Sequence, residues 1–206
     1  TPDVHFAAEA RHNGSKMVVF SPDFNQVAKY ADEWVSINAG QDGAWWMAVN
    51  HVILKEFHVD RQVPYFMDYT KKYTDAPYLV ELTEREGVYE AGQMLRAGRL
   101  ANYAEEENAE WKFLHWDMGD NKPKMPMGSS GFRWGKKGQW NLLEQDGKDG
   151  SSIDAELTFL NQNDGVAQVR LDDFAEGESI CRGVPVRTIE TTDGPVKVTT
   201  VYDLLM

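Results

Sequence analysis

Cysteine is almost missing from this 206-residue chain, where Cys181 stands alone. An internal disulfide is excluded, and so is an iron–sulfur cluster held by the chain's own thiolates. A single thiol fits a reducing compartment. Basic charge is scarce as well: Lys and Arg total 21 against 33 Asp and Glu, giving a formal net charge of −12. Nucleic-acid binders carry a basic stripe, and none is visible, so no nucleic-acid partner is expected. The acidity favours solubility and repels anionic surfaces. No apolar run approaches the ~18 residues of a spanning helix, so direct membrane insertion is not expected. A secretory leader, with its basic start and apolar middle, is also missing. The chain starts on Thr1 rather than Met and finishes on the apolar run Val201 to Met206, so both ends are expected to be cut from a longer polypeptide.

What is present is organised around Lys16 to Asp42. The apolar run Met17 to Phe20 stops at Ser21-Pro22-Asp23. This reads as a buried strand running into a helix, with Ser21 as cap and Pro22 at the first helical position. A second short run, Trp34 to Ile37, ends in Asn38-Ala39-Gly40-Gln41-Asp42 and feeds another helix, with Asp42 as cap. Ligands of open α/β sheets sit outside the carboxyl ends of the strands. The two loops are therefore candidates for one nucleotide-like ligand. The plainer reading of each is a capped helix and nothing more.

The spacing predicts helices over 2–12, 22–32, 43–57 and 61–73, and strands over 16–20, 34–37 and 78–82. The helix at 43–57 is apolar most of the way round, with Trp45, Trp46, Met47, Val49, Val52, Ile53 and Phe57. Such a helix is buried on more than one side. Past Thr83 helical periodicity fades, except around 92–107, and turn signals become dense. Gly128 to Gly131 and Gly135 to Gly138 are among them. Short aromatic or β-branched runs read as strands at 112–116, 153–160, 166–171, 184–189 and 196–202. Asp193-Gly194 between the last two is the clearest hairpin signal. The chain is thus expected to be α/β over 1–82 and a β-rich insertion with hairpins and a short helical segment over 83–206.

Other constellations carry less chemistry. His51 and His58 are seven apart, whereas a metal pair wants three or four with a third ligand nearby. No Ser-His-Asp arrangement, phosphate-binding glycine loop or Cys-His cluster emerges. Glu105-Glu106-Glu107 reads as a solvated face. The seven Trp, eight Tyr and nine Phe read as core and inter-domain contact.

Val18-Val19-Phe20-Ser21-Pro22-Asp23, then Ala31-Asp32-Glu33-Trp34, then Gly40-Gln41-Asp42 before a helix resemble the molybdopterin oxidoreductase superfamily. Its pattern is a strand ending in Asp-Pro-Arg, then Ala-Asp, then Gly-Thr-Asp. Further blocks resemble the alpha subunits of membrane-bound respiratory nitrate reductases. They are His51-Val-Ile-Leu-Lys-Glu-Phe-His58, Asp68-Tyr-Thr-Lys-Lys-Tyr-Thr-Asp75, Met94-Leu-Arg-Ala97, Gly131-Phe-Arg-Trp-Gly135 and Val198-Thr-Thr-Val-Tyr-Asp203. Together they cover essentially the whole chain in order.

The resemblance implies a Rossmann-like open sheet half, lacking its first strand, ahead of the β-rich insertion. It implies reduction of nitrate to nitrite by oxygen-atom transfer at molybdenum held by two molybdopterin guanine dinucleotides. Electrons would arrive through iron–sulfur clusters. An iron–sulfur beta subunit and a membrane cytochrome b gamma subunit would be partners, at the cytoplasmic face of the cell membrane. Asp42 would accept hydrogen bonds from the guanine edge, beside Gly40 and Gln41. A carboxylate suits that edge, which offers a ring N–H and an amine to one acceptor-only fork. Ser21, Pro22 and Asp23 would lie against ribose or guanine. Two departures matter: Gln41 replaces the family's Thr, and Ser21 and Asp23 replace its Asp and Arg. The family's molybdenum-ligating Asp, its cluster ligands and its phosphate-contacting Gly-Ser-Asn segment would all precede Thr1. The isolated chain is therefore expected to bind no cofactor and to have no catalytic residue, no metal ligand and no activity. The alternatives are a chlorate or selenate reductase of the same superfamily, or a non-redox α/β module binding a guanine nucleotide.

Overall fold

A computed structural model describes residues 3–127, 142–171 and 180–206. The glycine-rich turns at 128–131 and 135–138, and with them the Gly131 to Gly135 block, lie outside the described residues. The chain divides into two compact units, Thr1–Val52 and Ile53–Met206.

In the first unit, α1 (Asp3–His12) carries Asp3 in its first turn and Arg11 and His12 in its last, each matched to the helix dipole. Gly14, at φ +90°, ends it. Strands β1 (Val18–Phe20) and β2 (Glu33–Val35) pair in parallel, with Val18 opposite Glu33 and Phe20 opposite Val35. The helix expected over 22–32 does not form. The Ser21 hydroxyl, free to cap a helix, instead donates to the Asp23 carbonyl at 2.6 Å. Asn25 Oδ1 accepts from the amides of Val27 (2.9 Å) and Ala28 (3.1 Å). Only a single 3-10 turn, Ala28–Tyr30, follows. These short side-chain bonds to backbone offer an alternative to the helical ladder, and here they win. Helix α2 (Asp42–Leu54) buries none of its residues.

In the second unit the last two residues of α2 run into a π-helical turn, Lys55–Asp60, whose first three residues fall in the helix expected over 43–57. Helix α3 (Pro64–Tyr73) has Pro64 at its first turn, the one place a helix tolerates it. The body of the unit is a closed five-stranded barrel of β3 (Leu79–Arg85), β4 (Val88–Met94), β7 (Gly165–Leu171), β8 (Ile180–Thr191) and β9 (Gly194–Thr200). Two of its strand-to-strand turns lie among the described residues. Glu86 and Gly87, both at positive φ, turn β3 into β4. Thr192-Asp193 joins β8 to β9, with Thr191 opposite Gly194, where the sequence places its clearest turn. The circle closes through a short parallel contact, Tyr89 with Val169 and Glu90 with Arg170. Leu82, Ala167, Val169, Val184 and Val186 form one buried cluster in the barrel. A larger one joins Leu79, Leu95, Leu114, Trp116, Phe159 and Val198. The described residues are thus mixed α and β, with a multi-strand sheet and hairpins.

Three expectations fail here in whole or in part. The helical segment at 92–107 is instead the end of β4, a 3-10 turn (Ala97–Arg99) and a chain of turns. Three of its amides are spent outside any helical ladder, Leu95 on the Leu79 carbonyl, Ala97 on Lys112 and Gly98 on Ala109, and those of Arg99, Leu100, Tyr103 and Glu106 make only i−3 turn bonds. The strand at 153–160 is irregular, although it runs beside the small hairpin of β5 (His115–Asp117) and β6 (Lys122–Lys124) through Asp117 and Ala155. The Phe159 amide goes to the Asp203 carboxylate (2.9 Å), and Leu157 and Phe159 are both buried. The last run, 196–202, is strand only to Thr200. Thr200 caps α4 (Val201–Leu205) by accepting from the Asp203 amide.

His115 is fully buried, and neither ring nitrogen has a hydrogen-bond partner among the described residues. Burial, then the nearby Lys71 charge, push its pKa from 6.5 down to about 3. The unfolded chain therefore binds a proton in that window that the fold refuses, and stability falls as pH drops from 6.5 toward 3. By about pH 5 the loss is about 2 kcal/mol. Replacing His115 by Phe removes no described hydrogen bond and abolishes this loss. Urea unfolding at about pH 7 and about pH 5 should therefore show the variant gaining about 2 kcal/mol on the parent. Parallel pH curves for the two proteins would contradict a buried neutral imidazole.

Candidate functional site

The carboxyl ends of β1 and β2 leave the parallel pair on the same edge, because Phe20 stands opposite Val35. The Ser21 amide extends the pairing by donating to the Val35 carbonyl at 3.2 Å. The segment Ser21–Asp23 and the approach to α2 therefore start side by side. A ring contact holds the second loop there. Trp45, in the first turn of α2, lies 4.0 Å from Phe20 between ring centroids. Asp42 is one helical turn from Trp45, so it belongs to the same corner.

The six residues singled out by sequence differ in what they can offer. Ser21 is buried, and its hydroxyl is committed: it donates to the Asp23 carbonyl and accepts from Trp34 Nε1 at 3.0 Å. Pro22 and Asp23 are exposed, and the Asp23 carboxylate has no partner among the described residues. Gly40 sits at φ +81° with nothing within 4 Å of where a Cβ would stand. That conformation is natural for glycine and strained for most other residues. Gln41 is the true cap: its carbonyl accepts the first helical bond, from the Trp45 amide at 3.0 Å. Asp42 is the first residue inside the helix rather than its cap. Its carboxylate is exposed and unpaired among the described residues, so it is free to accept donors from outside. A carboxylate at a helix start is also stabilised by the dipole. The arrangement presents two acceptor-only carboxylates and an unobstructed glycine turn at one strand edge.

The histidines do not assemble. No group of three or more His, Cys, Asp or Glu side chains among the described residues could hold a metal ion. His58 is half-buried beside Tyr202, with ring centroids 5.3 Å apart. Desolvation first, then Lys71, lower its pKa.

Sequence reasoning missed the buried polar groups of the second unit. Glu156 pairs with Arg187 at 2.9 Å, and Asp117 with Lys124 at 2.9 Å. Asp146 accepts from the Tyr103 hydroxyl. Asp203 accepts from the Thr158 hydroxyl (2.5 Å) and the Phe159 amide, and burial pushes its pKa up to about 6. Each partner is 31 or more positions distant except in the Asp117–Lys124 pair, so no local pattern could announce it.

Comparisons with known proteins add a family. A family model described as molybdopterin oxidoreductase matches residues 2–170. The respiratory nitrate reductase 1 alpha chain of Escherichia coli K12 is 41% identical over 219 residues, covering all of this chain and 18% of the relative. The nitrate reductase alpha chain of Bacillus subtilis is 38% identical, over all of this chain and 17% of its own length. The perchlorate reductase alpha subunit of Dechloromonas aromatica is 35% identical over 130 residues, which is 63% of this chain and 12% of that subunit. The chain therefore spans less than a fifth of the length of these curated relatives. Among the described residues no helix is long and apolar enough to cross a membrane. With the family model covering most of its length, the chain belongs to the molybdopterin oxidoreductases.

Proposed function

We propose that this chain is part of the catalytic subunit of a molybdenum-dependent nitrate reductase and forms one wall of its guanine-dinucleotide site. The observation that carries the reading is the exposed, unpaired Asp42 carboxylate beside the open turn at Gly40, at the edge where β1 and β2 both end. Asp42 accepts from the guanine ring N–H and amine, and Gly40 and Gln41 let the ligand approach the backbone. Pro22 and Asp23 face it from the other loop. Ser21, whose hydroxyl is spent on Asp23 and Trp34, holds that loop in shape. On this reading β1 and β2 are part of a larger Rossmann-like sheet. Residues 1–82 then serve the cofactor side, and residues 83–206 are a β-rich insertion.

The residues present fit the guanine end of such a cofactor, because their free groups are acceptors and guanine's edge is rich in donors. Bound in the larger protein, the molybdenum cofactor supplies the oxygen-atom transfer that turns nitrate into nitrite. The chain's own residues bind and orient. An iron–sulfur cluster elsewhere in the subunit, an iron–sulfur beta subunit and a cytochrome b gamma subunit complete the assembly at the cytoplasmic face of the membrane. The alpha-chain names of the relatives support a multi-subunit setting. The perchlorate reductase relative favours a second reading, in which the oxyanion is not nitrate.

Two measurements test this. In the full-length polypeptide that carries this stretch, Asp42→Asn replaces one acceptor with a donor facing donors. Molybdenum content per protein should fall by about tenfold, the equivalent of one charge-assisted hydrogen bond, with circular dichroism unchanged. Equal molybdenum in both proteins would remove Asp42 from the site. The 206-residue chain by itself should reduce no nitrate with an artificial electron donor, and any turnover would overturn the assignment of catalysis to residues outside it.

A further inference from the structure

A cleft of about 430 Å³ opens in the second unit between β6 and β8. Its floor is Leu100, Trp116 and Ile189, three members of the larger buried cluster. One wall runs from Asn121 to Pro123, the other from Thr188 to Glu190.

The β8 wall is a strand edge with a gap in its pairing. β7 stops opposite Val186, where Gly165 is the last partner. On the other side, β9 accompanies β8 to Thr191. Hydrogen-bonding groups along a strand alternate in direction, so Thr188 and Glu190 point the way Val186 does, toward the side β7 has left. Three bonds confirm the direction. The Asp164 amide donates to the Val186 carbonyl at 2.8 Å, and the Thr188 amide donates to Asp164 Oδ2 at 2.7 Å. Beyond the gap, the Thr192 amide donates to the Arg99 carbonyl at 2.8 Å. Between these caps, the Thr188 carbonyl and both backbone groups of Glu190 have no partner among the described residues.

The opposite wall is different. Pro123 has no amide proton, and it stands opposite Trp116, whose carbonyl accepts from the Glu156 amide on the far side. The Pro123 carbonyl therefore points away from β5, Pro123 lines the cleft without an amide to offer, and this edge cannot pair as a regular strand. Asn121 Oδ1 accepts from Trp116 Nε1 (3.2 Å) and Arg187 Nη1 (3.1 Å), which leaves its amide nitrogen as a donor.

We propose that this cleft receives an extended polypeptide segment from outside these 206 residues, added as a short strand along Thr188–Glu190. The open backbone groups ask for two amide donors and one carbonyl acceptor, as a strand supplies and a compact ligand does not. Side chains of a strand alternate between faces. The residues flanking the one paired with Glu190 therefore turn onto Leu100, Trp116 and Ile189, and they are apolar. In the relatives more than four-fifths of the polypeptide lies outside the matched stretch, so segments of that kind are at hand. The fold admits one strand only, because Asp164 and Arg99 cap the gap at both ends and Pro123 blocks the far side.

The probe is a blocked pentapeptide of alternating valine and threonine, titrated into the isotope-labelled chain and followed by NMR. Amide signals of Thr188 to Glu190 and the Trp116 indole signal should shift saturably, and exchange of the Glu190 amide proton should slow. A peptide N-methylated at its two inward amides keeps its side chains but loses both donors, and should bind at least about tenfold more weakly. Glu190→Pro deletes an amide with no described partner and should weaken binding similarly. The proposal is overturned if the methylated peptide binds equally well or if the cleft signals do not move. It is also overturned if the Glu190 amide is already slow to exchange in the free chain, which would mean that the chain covers the edge itself. Concentration-dependent dimers in sedimentation that block the peptide would assign the edge to a second copy and overturn it too.

Discussion

The bond from the Ser21 amide to the Val35 carbonyl fixes the candidate site, because it extends a parallel ladder of only three residue pairs. Two strands of that length are marginal in water. Other contacts reinforce them. Asp32 accepts from Arg11 through both oxygens, at 2.5 and 3.1 Å, and also from the Met17 amide at 2.8 Å. That holds the crossover between β1 and β2 to the end of α1. The pair is about a third exposed, so solvent screening limits its worth to a fraction of a kcal/mol up to ~1 kcal/mol. Aromatic contacts matter more: Phe20 on Trp45, and Phe24 edge-on to Trp34 at 5.4 Å. Yet α2 buries none of its residues, and Trp46 and Met47 are more than half exposed. Its all-round apolar surface suits a helix covered on several sides. This helix therefore leaves apolar surface uncovered.

The second unit is built on the opposite balance. Its barrel closes on itself, which leaves few open edges. Its cores carry charges, each with a partner. Arg187 pairs with Glu156 and stacks over Trp116 and Phe159, its guanidinium 4.3 and 4.9 Å from their ring centres. Burial raises the Glu156 pKa, against the opposing pull of Arg187. Buried pairs of this kind add little net stability, but removing one partner costs about 3–5 kcal/mol. Their effect here is positional. Glu156, Thr158 and Phe159 are all bound through Arg187 or Asp203, so an irregular segment is pinned to the barrel. The same pinning gives the cleft its floor, since Trp116 and Ile189 are held from below by this network and by the core.

How much of this could be read from the sequence follows from how far each signal reaches. Asp193-Gly194 marks its hairpin because a tight turn needs only its own residues. The short apolar runs ending at Phe20 and near Val35 mark the two parallel strands, since burial and turn chemistry are local there. Ser21-Pro22-Asp23 spells a cap, which is why the sequence predicts a helix over 22–32 that does not form. Asn25, four residues on, captures the amides of Val27 and Ala28 instead, and periodicity is blind to that competition. The segment at 92–107 has helical spacing, but three of its amides are claimed by Leu79, Lys112 and Ala109 through the tertiary fold. At the site, the acidic tips were legible as types. The commitment of the Ser21 hydroxyl to Trp34, and the shift of the cap from Asp42 to Gln41, depend on atoms that no motif specifies.

Charge decides which end of a dinucleotide could rest at that edge. Asp23 and Asp42 are exposed carboxylates on a chain of net charge −12. Each would repel a phosphate group, and two like charges near a partly buried surface cost on the order of 1 kcal/mol or more at close range. The family's Arg, which would offset this, is Asp23 here. A pyrophosphate is therefore placed poorly between these loops, whereas an uncharged base edge with two N–H donors meets acceptors already freed from other duties. In the proposed arrangement this corner orients the base, and any cationic or amide cradle for the phosphates has to come from other polypeptide. On that proposal, the part left to these two loops is to orient the base.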